Sequence, residues 1–183
     1  GRGKLATGTN SSLVVTPDGT LWVWGHNHAD LIKESIRIRI KVPRPADGVE
    51  GVVEVAASST DATLLALADG SIAESGAILF VDPLGASRPL SPVSAMENVA
   101  AIAVSKAGGD FRMALRADGT VWTWGSNSRG QLGDGTTISR REPQMVQGLP
   151  RLVSIAAGIT HSLALASDGT VWSWGSNFHG QLG

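Results

Sequence analysis

Few residues in this sequence could do chemistry, and the histidines are the first to consider. His26 and His28 are two residues apart and close to Asp30. Two imidazoles and a carboxylate form a ligand set that transition metals accept. However, the histidines lie in a predicted turn, where another copy of the segment reads Ser-Asn-Ser. The pattern therefore favours a solvated turn, and we predict neither a metal site nor a cofactor.

A nucleophile with its base is suggested by His161 next to Ser162. Adjacent residues of a strand point to opposite faces, so the two side chains are not placed to share a proton. The glycines of GSNSRGQLGDG are not followed by the Gly-Lys-Ser/Thr of a phosphate-binding loop. Cysteine is absent, which excludes thiolate chemistry. We predict no catalytic residue and no enzymatic activity.

The overall composition argues against nucleic-acid binding and against membrane insertion. The chain has 183 residues, a formal net charge of -1 and 17% charged residues, so nucleic-acid binding is not expected. No apolar run is long enough for a transmembrane helix, and membrane insertion is not expected. The first residue is glycine and the last ones fall inside a repeated motif, from which we expect a piece of a longer protein.

Four Asp-Gly pairs, spaced by 51, 49 and 50 residues, organise the chain. Each pair lies between two short apolar runs, which predicts a β-hairpin whose two-residue turn places Asp and Gly at positive φ. The predicted turn residues are Asp18, Gly19, Asp69, Gly70, Asp118, Gly119, Asp168 and Gly169.

Each interval between hairpins repeats the same parts, an aliphatic run such as LVSIAA and a proline-led run such as PQMV. About four short strands per unit of 40 to 50 residues indicate β-propeller blades. We therefore predict an all-β chain, a single partial propeller of four-stranded antiparallel blades in an incomplete ring. The expected units are residues 1–51, 52–98, 99–151 and 152–183, the last one truncated.

Three Trp-x-Trp pairs follow the Asp-Gly turns. Residues two apart on a strand share a face, so each pair places two rings on one face of a blade. Burying such rings against the neighbouring blade contributes several kcal/mol per pair, at about 25 cal/mol per Å². The predicted inter-blade packing residues are Trp22, Trp24, Trp122, Trp124, Trp172 and Trp174.

The runs GITHSLALASDGTVWSWGSNFHGQLG and LRADGTVWTWGSNSRGQLGDGT resemble the regulator of chromosome condensation repeat. The resemblance extends along the chain unevenly. The first unit departs at HNHADLIK, where Gly-Gln-Leu-Gly would stand, and the second has Ala73 and Ser75 at the tryptophan positions. Members of this family typically close seven blades into a ring. The resemblance thus implies either part of a longer propeller or two copies that associate to complete a ring.

The resemblance also implies function. Relatives present loops on a propeller face to a protein partner, so we expect a non-enzymatic interaction scaffold with an unidentified protein partner. Two alternatives are a fragment of a guanine nucleotide exchange factor for a small GTPase and a proteinaceous enzyme inhibitor. No β-wedge insertion, which exchange activity uses in the family, is found in the sequence.

Partner contacts are expected where the units differ, as in HNHADLIKES and ILFVDPLGASRP. In the segment SIRIRIKV, isoleucine and valine alternate with Arg37, Arg39 and Lys41, which predicts an amphipathic strand with a basic outer face. Such charges either protect a sheet edge from unwanted pairing or form a docking stripe for an acidic partner. The possible partner contacts are Arg37, Arg39, Lys41, His26 and His28.

Overall fold

The computed structural model describes residues 4–26, 31–32, 39–58, 62–75, 90–94, 96–106 and 110–183. These residues form fifteen β-strands, and none of them belongs to a helix able to cross a membrane. The strands are β1 (Lys4–Thr7), β2 (Ser11–Val15), β3 (Leu21–His26), β4 (Arg39–Pro45), β5 (Val52–Ala57), β6 (Thr63–Leu67), β7 (Ile72–Ser75), β8 (Ser91–Pro92), β9 (Val99–Val104), β10 (Phe111–Arg116), β11 (Val121–Gly125), β12 (Arg140–Met145), β13 (Leu152–Ala157), β14 (His161–Ala166) and β15 (Val171–Gly175).

The strands pair in chain order into antiparallel sheets. The orders are β1-β2-β3-β4, β5-β6-β7-β8, β9-β10-β11-β12 and β13-β14-β15, called sheets 1 to 4 below. Within each sheet, every strand after the first pairs with its predecessor, as expected when short turns join consecutive strands. The fold class predicted from the sequence, an all-β partial propeller with four-stranded antiparallel blades, is confirmed.

The Asp-Gly pairs lie in the hairpins that join the second and third strands of each sheet, but the predicted two-residue turn is wrong. In the first hairpin the Gly19 amide donates to the Thr16 carbonyl at 2.9 Å, and Gly19 has φ 84°. Asp18 is not at positive φ; instead its Oδ1 accepts from the Thr20 amide at 3.1 Å. The loop is therefore a three-residue turn with glycine at the left-handed position, because the aspartate side chain itself closes the turn.

Three apolar clusters fill the gaps between successive sheets. The cluster between sheets 1 and 2 includes Leu13 and Leu65, and the one between sheets 2 and 3 includes Leu64. The cluster between sheets 3 and 4 includes Met113 and Ala164. Each inner sheet is apolar on both faces, since alternate residues of a strand contribute to different clusters. The packed sheets therefore fix the positions from which the loops at their two ends emerge.

The sheets have two ends with different loops. One end, called the hairpin face, carries the Asp-Gly turns. The opposite end, called the loop face, carries the connections from the third to the fourth strand of each sheet, such as residues 126–139. The same face carries the connections from the first to the second strand, such as residues 158–160.

Candidate functional site

The tryptophans lie at or near the gaps between sheets. Trp122 and Trp124 pack against the cluster between sheets 2 and 3, and Trp124 has 0% of its surface exposed. Trp174 packs against the cluster between sheets 3 and 4, and Trp24 contacts the one between sheets 1 and 2. Trp172 is 38% exposed. Trp22 is half-buried.

The Gly-Gln-Leu-Gly segment that follows the third strand of sheet 3 forms hydrogen bonds with sheet 4. The Gln131 carbonyl accepts hydrogen bonds from Trp174 Nε1 at 2.9 Å and from Ser162 Oγ at 2.8 Å. A Cβ added at Gly133 would lie 2.7 Å from Trp174 Nε1, so only glycine allows the loop to approach the indole this closely. The segment therefore connects two sheets.

Buried amide side chains fix the path of this loop. Asn127 has 0% exposure, and its Oδ1 accepts from the Leu132 amide at 2.9 Å. Its Nδ2 lies 3.1 Å from both Asp134 Oδ1 and the Thr136 carbonyl. Gln131 Oε1 accepts from the Arg129 amide at 2.8 Å. These bonds replace the backbone ladder that a loop lacks, so the loop has a defined shape.

The equivalent loop of sheet 4 repeats two of these bonds. Asn177 Oδ1 accepts from the Leu182 amide at 3.0 Å, and Gln181 Oε1 accepts from the His179 amide at 2.8 Å. Over eight residues, SNSRGQLG and SNFHGQLG, the two loops differ at two positions only. The differing residues, called the display positions, are Ser128 and Arg129 in sheet 3 and Phe178 and His179 in sheet 4.

The display positions are exposed on the loop face. Phe178 is 74% exposed although it is a large apolar side chain. The Arg129 guanidinium lies 4.8 Å from the centre of its ring, within the range of a cation–π contact. Arginine and aromatic residues are enriched in protein interfaces. One rigid loop shape thus presents two different pairs of side chains to solvent.

Asp134 closes the sheet 3 loop through an ion pair. Its Oδ2 lies 2.6 Å from Arg140 Nε on β12, and its Oδ1 accepts from the Thr136 amide at 2.9 Å. Partial burial raises the pKa of Asp134, but hydrogen bonds from Arg140, Thr136 and Asn127 outweigh it and lower the pKa to about 2. The carboxylate is therefore ionised throughout the physiological range. Its charge is neutralised by Arg140.

An open groove of about 570 Å³ lies beside this ion pair, between the Gly133–Gly135 segment and β12. Its lining includes Trp122, Asp134, Arg140 and Met145. Both oxygens of Asp134 already have protein partners. The groove therefore offers a ligand no uncompensated carboxylate.

A different contact joins sheets 2 and 3. Trp124 Nε1 donates to Glu74 Oε2 at 3.0 Å, and Arg112 Nε lies 3.4 Å from the same oxygen. The Arg112 side chain is 1% exposed, and its Nη1 lies 3.4 Å from Asp110 Oδ1. Arg112 Nη2 has no hydrogen-bond partner among the described residues. Serine occupies the equivalent position in sheets 1 and 4, so this charged contact is particular to one gap.

The divergent first loop keeps one core residue. Ile32 is 5% exposed and belongs to the cluster between sheets 1 and 2. It lies 100 residues before Leu132, which is 1% exposed in the cluster between sheets 3 and 4. The segment HNHADLIK, which lacks the Gly-Gln-Leu-Gly motif, thus still supplies an apolar residue at the leucine position. A comparison by register, with no regard to the motif, would have found it.

The possible partner contacts lie on or near β4. Arg39 and Lys41 are exposed, and His26 is half-buried opposite Arg39 at the end of β3. Arg37 and His28 lie outside the described residues. The predicted alternation fails at Val42, which is 61% exposed. The pairing of β3 with β4 shifts register between Val23 and Gly25, and such a bulge interrupts the alternation of faces.

The catalytic and metal alternatives gain no support from the geometry. Ser162 Oγ donates to the Gln131 carbonyl at 2.8 Å, on the face of β14 opposite to His161. In the described part of the chain, no group of three or more histidine, aspartate or glutamate side chains is placed to bind a metal. His28 and Asp30, two of the three residues of the metal hypothesis, lie outside the described ranges.

Four successive antiparallel sheets, packed face to face through apolar clusters, define this chain as a partial β-propeller. Residues 118–165 match the family described as "Regulator of chromosome condensation (RCC1) repeat", and a second profile of the same description matches residues 101–131 and 152–181. Residues 101–181 therefore contain RCC1 repeats, and the fold of the chain is that of a partial RCC1-type propeller.

Curated relatives and solved structures agree with this assignment. Human E3 ubiquitin-protein ligase HERC2 is 31% identical over 172 residues, which cover 86% of this chain and 3% of HERC2. The mitochondrial RCC1 domain-containing protein RUG3 of Arabidopsis thaliana is 33% identical over 175 residues, covering 86% of this chain and 38% of RUG3. Prp20p from Saccharomyces cerevisiae superposes with a TM-score of 0.75 at 22% identity, over 93% of this chain and 44% of Prp20p.

The chain thus spans well under two thirds of these relatives. The Prp20p structure was described together with its binding to Gsp1p and histones. At 22% identity the likeness to Prp20p shows the shared fold alone.

Proposed function

We propose that this chain is a non-enzymatic protein-interaction module that binds a protein partner through the display positions and neighbouring loops of its loop face. The observation that supports the proposal is the pair of loops SNSRGQLG and SNFHGQLG. In both loops the asparagine Oδ1 and the glutamine Oε1 accept from backbone amides of the loop, and the only residues that differ between the two segments are exposed. A fixed loop shape with variable exposed side chains is typical of binding surfaces built on a rigid scaffold.

The chemistry of this surface favours a partner that offers an apolar patch beside an acidic group. Phe178 supplies apolar area at low entropic cost, and Arg129 supplies a planar cation. Arg39 and Lys41 add positive charge at the same end of sheet 1. His26, paired with Arg39 at the end of β3, belongs to the same proposed contact region, whereas Arg37 and His28 lie outside the described residues and stay predicted contacts.

Variants of the two faces test this proposal. The double variant Arg129→Ala/Phe178→Ala removes the cation–π pair without touching a residue that holds the loop. Arg151→Ala is the matched control, because Arg151 is exposed on the hairpin face, next to Gly119. With a partner captured by cross-linking and purified, we expect the double variant to weaken binding at least tenfold and the control to change it less than twofold. If both variants bind the partner as tightly as the wild type does, the loop face is not the binding surface.

Guanine nucleotide exchange is the second candidate, since residues 101–181 match RCC1 repeats and the fold is that of Prp20p, whose structure was described with Gsp1p binding. A nucleotide-free small GTPase mixed with the purified chain separates the two functions. Co-elution and faster nucleotide release would favour exchange. Separate elution would favour the interaction module. Inhibition of a partner enzyme would instead support the third function implied by the family resemblance, that of a proteinaceous enzyme inhibitor.

A further inference from the structure

On the hairpin face, the hairpin of one sheet contacts the first strand of the next sheet. Between sheets 1 and 2 the Val52 amide donates to the Gly19 carbonyl at 3.0 Å. One hundred residues later, between sheets 3 and 4, the same bond joins the Leu152 amide to the Gly119 carbonyl at 3.0 Å. The residue before the donor is Gly51 in the first gap, Asn98 in the second and Arg151 in the third.

Arg151 covers the hairpin of sheet 3. Its Nη2 donates to the Ala117 carbonyl at 3.2 Å, and its Cγ lies against Gly119, where a Cβ would clash with it. Hydrogen bonds from Thr120 lower the pKa of Asp118, and the positive charge of Arg151 lowers it further. An arginine side chain therefore fits this position by its shape and by its charge.

The equivalent position between sheets 1 and 2 is open, because Gly51 has no side chain. A pocket of about 460 Å³ lies there, called the Gly51 pocket. Its lining includes Pro17, Asp18, Gly51, Val52, Val53 and Ala68. The pocket lies between two sheets that already pack on each other, so it is not the place of a further sheet.

The two positions differ in the charges around them. Thr16 and Glu50 in the first gap stand where the third gap has Arg116 and Pro150. With the change at Gly51, the first gap has two positive charges fewer and one negative charge more than the third gap.

Asp18 adds a negative charge to the lining of the pocket. Hydrogen bonds from Thr16 and Thr20 lower its pKa, so its carboxylate is ionised at neutral pH. Lys4, a cationic residue of the lining, lies with its Nζ 3.4 Å from Glu54 Oε1. The Gly51 pocket therefore combines apolar walls with an acidic rim, which suits a long side chain that ends in a positive charge.

We propose that the Gly51 pocket binds an arginine side chain of a protein partner, which lies over the hairpin of sheet 1 as Arg151 lies over the hairpin of sheet 3. The Pro17 carbonyl, which corresponds to that of Ala117, accepts from the guanidinium. Val53 and Pro17 contact the methylene groups, and the Asp18 carboxylate neutralises the charge. The pocket is on the hairpin face, so it is a second binding site, and its failure would leave the loop-face proposal intact.

Titration with N-acetylarginine amide, followed by NMR, tests the pocket, since the guanidinium is the only charge of this probe. We expect the amide signals of Gly19 and Val53 to shift along a saturation curve in the millimolar range, as for other ligands of this size. The signals of Gly119 and Val153, the equivalent residues near Arg151, should not shift. The citrulline derivative, which has a similar shape and no charge, should bind about fivefold more weakly or worse.

Gly51→Asn should close the pocket, as Asn98 does between sheets 2 and 3. Gly51 has φ 66° and Asn98 has φ 56°, so asparagine accepts this backbone conformation. We expect this variant to bind the probe about tenfold more weakly or worse, because its side chain takes up the space that the probe needs. Gly48→Asn is the matched control: Gly48 has φ 69° and is exposed in the same connection, and this variant should bind like the wild type.

The spectrum of Gly51→Asn away from the pocket should match that of the wild type, which shows that the variant is folded. The absence of a saturable shift with N-acetylarginine amide would overturn the proposal. Unchanged affinity of folded Gly51→Asn would do the same. Equal binding of the citrulline derivative or of N-acetylleucine amide would show a pocket that does not recognise the guanidinium, and would also overturn it.

Discussion

The aspartates of this chain have different structural roles, which depend on the groups around them. In the hairpins, Asp18, Asp118 and Asp168 are exposed, and hydrogen bonds from neighbouring hydroxyl and backbone amide groups lower their pKa values. Asp134 is largely enclosed by its loop and bonds to Arg140 on β12. Asp110 is buried beside Arg112 at a positive φ of 49°. The same side chain thus serves as a turn closure, a loop anchor and a partner for a buried cation.

Asp134 should make the stability of the chain depend on pH. Its pKa of about 2 in the folded chain lies below the ordinary value of 3.8, so the charged form is stabilised by folding. That stabilisation, on the order of 1 to 2 kcal/mol, is complete above pH 3.8 and is lost as the pH falls toward 2. We expect Asp134→Asn to lower the free energy of unfolding by about this amount at pH 7 and to flatten its decline below pH 4. Urea unfolding between pH 2 and pH 7 measures both effects.

Asp118→Asn is the control for this measurement. Asp118 is exposed, and asparagine still offers an oxygen to the Thr120 amide, so a smaller change is expected. If Asp134→Asn and wild type lose stability in parallel between pH 4 and pH 2, the ion pair with Arg140 does not contribute to folding.

At the level of elements, the loop after β11 and its counterpart after β15 have the same motif in different surroundings. Asn127 is buried and bonds to Leu132, Asp134, Thr136 and Ile138. Asn177 holds the Leu182 amide and is exposed. The cost of removing a polar side chain depends on which groups are left buried without a partner. We therefore expect Asn127 and Asn177, which occupy the same motif position, to contribute different amounts to the free energy of unfolding.

Alanine substitution at the two asparagines measures this difference. We expect Asn127→Ala to lower the free energy of unfolding by about 2 to 4 kcal/mol, because buried carbonyls and amides lose their partner. Asn177→Ala, the matched control, should cost less than about 1 kcal/mol, since water can replace its single bond. The shift of the urea midpoint gives both values. Equal costs would mean that the buried hydrogen bonds of the sheet 3 loop add nothing.

The sequence predicts the hairpins and blades well, because Asp-Gly pairs and Trp-x-Trp runs are local patterns with a fixed spacing. It does not predict the bond from Trp174 to residue 131, because the acceptor is a backbone carbonyl that any residue has. The sequence does not predict the contact of Arg112 with Glu74 either. The two residues are 38 positions apart, and the other units do not repeat this pair. The turn geometry was missed because Asp18 closes the turn with its side chain.

Among the described residues, each sheet packs only on its neighbours in chain order, through the three clusters. Stability in such an arrangement is approximately a sum of terms for each sheet and each gap. Sheets 2 and 3 have apolar clusters on both faces, whereas sheets 1 and 4 have one each. The outer sheets should therefore open more easily than the inner ones in a single chain.

Amide hydrogen exchange of the chain should reveal this gradient. The amides of Leu163 and Leu165 in sheet 4 should exchange at least tenfold faster than those of Met113 and Leu115 in sheet 3, which occupy the same positions fifty residues earlier. The comparison is matched because both pairs lie on the middle part of the same hairpin strand, and one face of sheet 4 lacks a covering sheet. Equal protection of the two pairs would show that the four sheets unfold as one cooperative unit.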